Sequence, residues 1–251
     1  MSSAVIQPPA PEAAPLSEGA RLVNTFIAPS KTFTDLRRSA AWWAPFLLIV
    51  VVSYVFMYVV DKKVGFARVA ENQVQASPKN SQRFEQMAPV ERARAMEMQI
   101  KVTRRASYGF PVLIMIWWII IAAVLLATFK FGFTADLTFK TSLAVVVYSS
   151  LPGILKSLLA IISILAGVNT DAFNIQNPVA TNPGYFLTQA NSPALFALAS
   201  AVDIFMIWTL VLAAIGISCV SKVKKGTAMG VIFGWYAFIT LIGAGIAAAF
   251  S

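Results

Sequence analysis

Two side chains carry charge where charge is costly: Asp203, inside SAVDIFMIWTLVLAAIGIS (Ser200–Ser218), and Lys156, inside LPGILKSLLAIISIL. A charge near the middle of a membrane span costs roughly 2.5–3.5 kcal/mol on the mildest scale. A carboxylate kept there faces a partner or a wet cavity. At about 1.5 Å per helical residue, Lys156 lies roughly 24 Å above Lys140, and Asp203 roughly 28 Å above Lys222. The matched depth admits two readings. The side chains form an intramembrane ion pair, or each reaches separately for the outer interface, as lysine does easily. A proton or ion path would use the same two groups. The chain has no histidine, so such a relay would be thin.

The remaining chemistry is sparse. One cysteine, Cys219, excludes an internal disulfide and is either a site of acylation or a small buried residue. Without histidine there is no histidine-ligated haem, no usual zinc site and no serine–histidine nucleophile. No phosphate loop occurs either. No cofactor and no catalysis are expected. Gly226, Gly230 and Gly234 form a small-residue stripe spaced by four. Such a stripe lets helices approach closely, within the bundle or against a second copy or subunit. Pro152 and Gly153 mark a bend, or a broken helix lining a substrate site.

The elements that must position these groups are membrane helices. Of 251 residues, 58% are hydrophobic and 12% charged, against roughly 45–50% and about 25% in soluble domains. The sequence predicts an all-α polytopic transmembrane bundle with spans at 42–60, 108–129, 141–167, 194–220 and 226–250. Met1–Gly19 is rich in proline and alanine, has no apolar core of a signal peptide, and reads as a disordered tail. Residues 20–41 read as two short helices broken at Ala28-Pro29. They either lie in the membrane interface or form a packed cytoplasmic cap. The segment 61–107 carries ten basic and five acidic residues and reads as extracytoplasmic, with PVERARAMEMQIKVTRR helical. Val168–Pro193 has five asparagines, three prolines and no Lys or Arg, and reads as a surface loop.

A net charge of +9 fits basic residues flanking spans and meeting anionic head groups, not nucleic acid. Arg37, Arg38, Lys130, Lys140, Lys222, Lys224 and Lys225 fall on one side of the five spans, which places the N-terminus in the cytoplasm and the C-terminus outside. Lys62, Lys63, Arg104 and Arg105 argue the other way, but in a longer segment of mixed charge.

Four blocks carry a family resemblance: PSKTFTDLRRSAAWWAPFLL (29–48), FGFTADLTFKTSLAVVVYSSLPGILKSLL (131–159), NPVATNPGYFL (177–187) and ALASAVDIFMIWTLVLAAIGIS (197–218). The last two are the most specific. The chain resembles the Yip1-domain membrane proteins in their bacterial form. The resemblance implies five spans, a cytoplasmic N-terminus and residence in a bacterial inner membrane. Eukaryotic members act in vesicle traffic and contact Rab GTPases, but this N-terminal region lacks the acidic and glycine-tyrosine elements of that role. The expected function is a non-catalytic scaffold or accessory subunit that associates with lipids and with other membrane subunits or itself. The alternative is a small transporter or channel component using Lys156 and Asp203.

Overall fold

The computed structural model describes residues 14–168 and 170–249. Most of the Met1–Gly19 tail lies outside them. Its last two residues do not continue the tail: helix α1 (Glu18–Ile27) begins there. Ser17 caps it, accepting from the Ala20 amide at 3.2 Å, and Glu18 sits in the first turn, where a negative charge is favoured. Pro29 starts α2 (Pro29–Asp35) at the position where proline loses no hydrogen bond. Then follow α3 (Trp43–Lys63), α4 (Phe66–Gln75), α5 (Pro78–Glu85) and α6 (Pro89–Tyr108). Gly65, with φ +82°, makes the turn from α3 into α4, a conformation glycine adopts without strain.

The second half holds α7 (Phe110–Phe133), α8 (Phe139–Ser149), α9 (Pro152–Leu165), α10 (Pro193–Ala201), α11 (Ile204–Val220) and α12 (Lys225–Ala249). A single 3-10 turn, Pro183–Phe186, interrupts the long loop before α10. No strand occurs among the described residues. Four helical runs are long and apolar enough to cross a membrane: α3, α7, the 27-residue run Phe139–Leu165, and α12. A fifth span exists if α10 and α11 are taken together, although they meet at a bend of 52°. The expected span 194–220 is therefore two helices, not one. The sequence reading put Asp203 inside a continuous helix; the structure puts it at the break. At Pro152 and Gly153, α8 gives way to α9 through Ser150 and Leu151, and the two still form one crossing run.

α8 is the centre of the bundle. Its residues Ser142–Ser149 are all buried, so this helix is enclosed on every side. α7 flanks it, with the Ser142 hydroxyl donating to the Ala122 carbonyl at 2.8 Å. α11 lies on another side, and Gly216 permits the approach. A Cβ there would stand 2.6 Å from Val145 and 3.0 Å from the Phe33 ring. α3 packs along α9, and α12 along α10 and α11. Exposed Val51 and Val55 on α3, Ile116 and Trp117 on α7, and Leu241 and Ile246 on α12 give the bundle the apolar exterior that lipid requires.

The short N-terminal helices pack into the bundle. Phe33 and Leu36 are fully buried in the core that also holds Tyr148, Leu212 and Ile217. The α1–α2 hairpin is a wedge between α8 and α11. Its outer face leaves Val23 and Ile27 exposed. The polar side chains it buries beside Phe33 and Leu36 are satisfied. Arg21 Nε donates to Asp35 at 2.7 Å and Nη1 to Glu18 at 3.1 Å, while the Tyr148 hydroxyl donates to Glu18 at 3.0 Å. Thr25 and Thr32 both donate to the Arg21 carbonyl, at 2.8 and 2.9 Å.

Candidate functional site

The Asp203 carboxylate is the most heavily coordinated group among the described residues. As the N-cap of α11 it accepts, through Oδ1, from the amides of Phe205 at 3.0 Å and Met206 at 3.2 Å. These are orphan donors of a helix start, and an aspartate is among the best residues to take them. Oδ2 takes three side-chain donors: Lys156 Nζ at 2.9 Å, Asn182 Nδ2 at 3.2 Å and the Thr181 hydroxyl. Its side chain is 5% exposed, and that of Lys156 25%. The lysine is thus half-buried beside a carboxylate that is almost fully enclosed.

The long loop supplies most of this shell. Asn177 and Asn182 exchange amide hydrogen bonds, at 3.0 and 2.7 Å, and Asn182 Oδ1 also caps the 3-10 turn through the Tyr185 amide at 3.1 Å. The Thr181 carbonyl accepts from the Ile204 amide at 3.2 Å. On the other side of the break, the Tyr236 hydroxyl donates to the Ala201 carbonyl at 2.7 Å. The backbone groups freed by the bend are thus rebound by the loop, by Asp203 and by α12. Non-helical backbone at such a depth requires this. Gly184 seats the loop: a Cβ would fall 2.1 Å from the Ser200 hydroxyl oxygen and 2.7 Å from its amide nitrogen.

Lys156 and Asp203, joined in sequence reasoning only by depth, are in direct contact. Thr181, Asn182, Asn177 and Gly184 were not singled out. The signal for them was an aspartate standing just before an apolar run, which is a helix-start signature, together with a loop rich in asparagine. The glycine stripe behaves differently. Gly226, Gly230 and Gly234 are exposed, and an added Cβ at any of them would meet nothing within 4 Å. Gly230 and Gly234 instead floor an open groove of about 380 Å³, walled by Trp235 and Phe238. Packing of this stripe inside the bundle is not what the fold does with it. Gly153 also has open space around its Cβ position, and Cys219 is partly buried beside the core. No group of three or more His, Cys, Asp or Glu side chains is placed to hold a metal, among the described residues.

A bundle of this kind, with an apolar exterior and one rebound helix break, is a polytopic helical membrane protein. A model of the Yip1 domain family matches residues 23–247, nearly the whole chain, and the chain belongs to that family. The sequence blocks 177–187 and 197–218 meet around Asp203, joined by Lys156 of the block 131–159. No curated protein and no solved structure shows significant similarity to the chain.

Proposed function

We propose that this protein acts by association, as a non-catalytic scaffold or accessory subunit of a larger assembly in a bacterial inner membrane. The observation that carries this reading is the unpartnered glycine face of α12. A groove floored by Gly230 and Gly234 accepts a neighbouring transmembrane helix at close range, where van der Waals contact holds helices together in lipid. The filled coordination of Asp203 supports the same reading. All five donors are already engaged, which suits a structural charge better than a group that must load and release a proton or ion.

Gly230→Leu tests it. Beyond its own helix turn, none of the described residues lies within 4 Å of the Gly230 Cβ position, so the substituted chain is expected to fold and melt like the parent. Its assembly, read by cross-linking in native membranes and by size in mild detergent, is lost. A Gly230→Leu protein that assembles as the parent does would show that the groove faces lipid alone.

A further inference from the structure

Beside the Asp203 shell, and sharing Asn177 with it, lies a cleft of about 660 Å³ between α4, α5, α6 and the long loop. Its volume falls in the range of small-molecule sites, roughly 300–1,000 Å³. Its chemistry is unusual for this molecule. Nine of its lining side chains are carboxamides, and none is Asp, Glu, Lys or Arg. Yet its walls come partly from the segment 61–107, which is dense in charge. An ordinary solvated surface built from that segment would carry some of it.

The walls are tied together. Asn72 Nδ2 donates to the carbonyls of Asp171 and Phe173, both at 3.0 Å, which fixes the loop to α4. The Thr103 hydroxyl donates to Gln73 Oε1 at 3.0 Å, which fixes α6 to α4. Other carboxamides are left over. The side chains of Gln75, Gln99, Gln176 and Gln189 make no hydrogen bond to the described residues, and all four line the cleft. Each offers two donors and an acceptor without charge. The Tyr185 ring forms part of the same wall.

We infer that this cleft binds a neutral glycosyl group of two or three sugar units. Sugar hydroxyls donate and accept at once, which matches carboxamides. The C–H face of a pyranose rests against an aromatic ring such as Tyr185. Phosphates and nucleotides would call for Lys or Arg, and cations for carboxylates, and the lining has neither. No strand is present among the described residues, so an extended peptide has no sheet edge here to join. The same chemistry fits a free oligosaccharide or the head group of a glycolipid, since Phe196 of the membrane-facing helix α10 also lines the cleft.

The test uses the full chain in nanodiscs of phosphatidylethanolamine and phosphatidylglycerol, prepared with a detergent that has no sugar head group. Maltotriose and triacetylchitotriose are titrated in, and saturation transfer to their ring protons is read by NMR. At least one trisaccharide is expected to receive saturation, with affinity about tenfold weaker in Gln99→Ala/Gln189→Ala, a change of about 1.4 kcal/mol. That variant keeps the parent's melting temperature, because neither side chain bonds to the described residues. Nanodiscs that also contain diglucosyl diacylglycerol separate the sources: loss of the trisaccharide signal assigns the site to a lipid head group, and an unchanged signal to a free oligosaccharide. Absence of transfer to either sugar together with no effect of the double variant on glycolipid retention overturns the inference. So does equal sugar binding by the variant, or binding of a neutral pentapeptide such as penta-asparagine in place of the sugars.

Discussion

Asp203 keeps its charge in an apolar setting because five donors converge on two oxygens. The ion pair with Lys156 is one of these five contacts, and it sits on the more exposed side. This predicts an asymmetry. Asp203→Asn turns an NH2 group toward Thr181, Asn182 and Lys156, which are themselves donors, and strands the lysine. Its cost is about 3–5 kcal/mol, typical of breaking a buried pair. Lys156→Met removes one charged hydrogen bond and leaves four donors in place, costing about 1.5–3 kcal/mol. The combined substitution costs less than the two added together, because the stranded lysine is gone. Melting of the three variants in one detergent measures this. Equal single effects that sum would show that the lysine and the carboxylate are not coupled.

The break between α10 and α11 is the element on which the second half of the chain turns. Val202 and Asp203 include neither proline nor glycine, and the local signal is Asp203 itself, the N-cap that takes the amides of Phe205 and Met206. The loop holds the break from outside: the Thr181 carbonyl takes the Ile204 amide that a straight helix would have bonded within itself, and the Asn182 side chain donates to the Asp203 carboxylate. Gly184 is the point of closest approach. Gly184→Ala is expected to lift the loop from Ser200 and cost about 1–3 kcal/mol by overpacking. Hydrogen exchange checks it: the amides of Ile204, Phe205 and Met206 lose protection, while those within α8 keep it. Unchanged exchange at the start of α11 would mean that the helix breaks without the loop.

The whole molecule is a bundle with a central enclosed helix, α8, and an N-terminal wedge held by Arg21, Asp35, Glu18 and Tyr148. Reading α10 and α11 together as one crossing gives five spans and termini on opposite sides. With Arg37, Arg38, Lys130, Lys140, Lys222, Lys224 and Lys225 on one side of these spans, the charge bias predicts a cytoplasmic N-terminus and a cleft beside Asp203 that opens outward. A phosphatase reporter joined after Ser251 is then active, and a reporter that fluoresces only in the cytoplasm is dark. The opposite pattern would mean that α10 and α11 enter and leave on the same side.

Hydropathy alone determined the class of protein, the number of apolar runs and the two charges worth following, because the cost of burying a charge is a property of the residue and its neighbours in the chain. The resemblance blocks at 177–187 and 197–218 pointed to the region that matters. Spacing also exposed the glycine stripe, but could not say what it faces. A Cβ at Gly226, Gly230 or Gly234 would meet none of the described residues across from it, whereas Gly216 and Gly184, which belong to no stripe, are the ones in closest contact. Only the tertiary structure decided that, and with it the bend at Asp203 and the depth of the α1–α2 wedge. Each depends on which segment, distant in sequence, supplies the opposing atoms: Phe33 and Val145 to Gly216, Ser200 to Gly184, Thr181 and Asn182 to Asp203. A helix period records which residues share a face, and the identity of the surface across from that face is set by the packing of the whole chain.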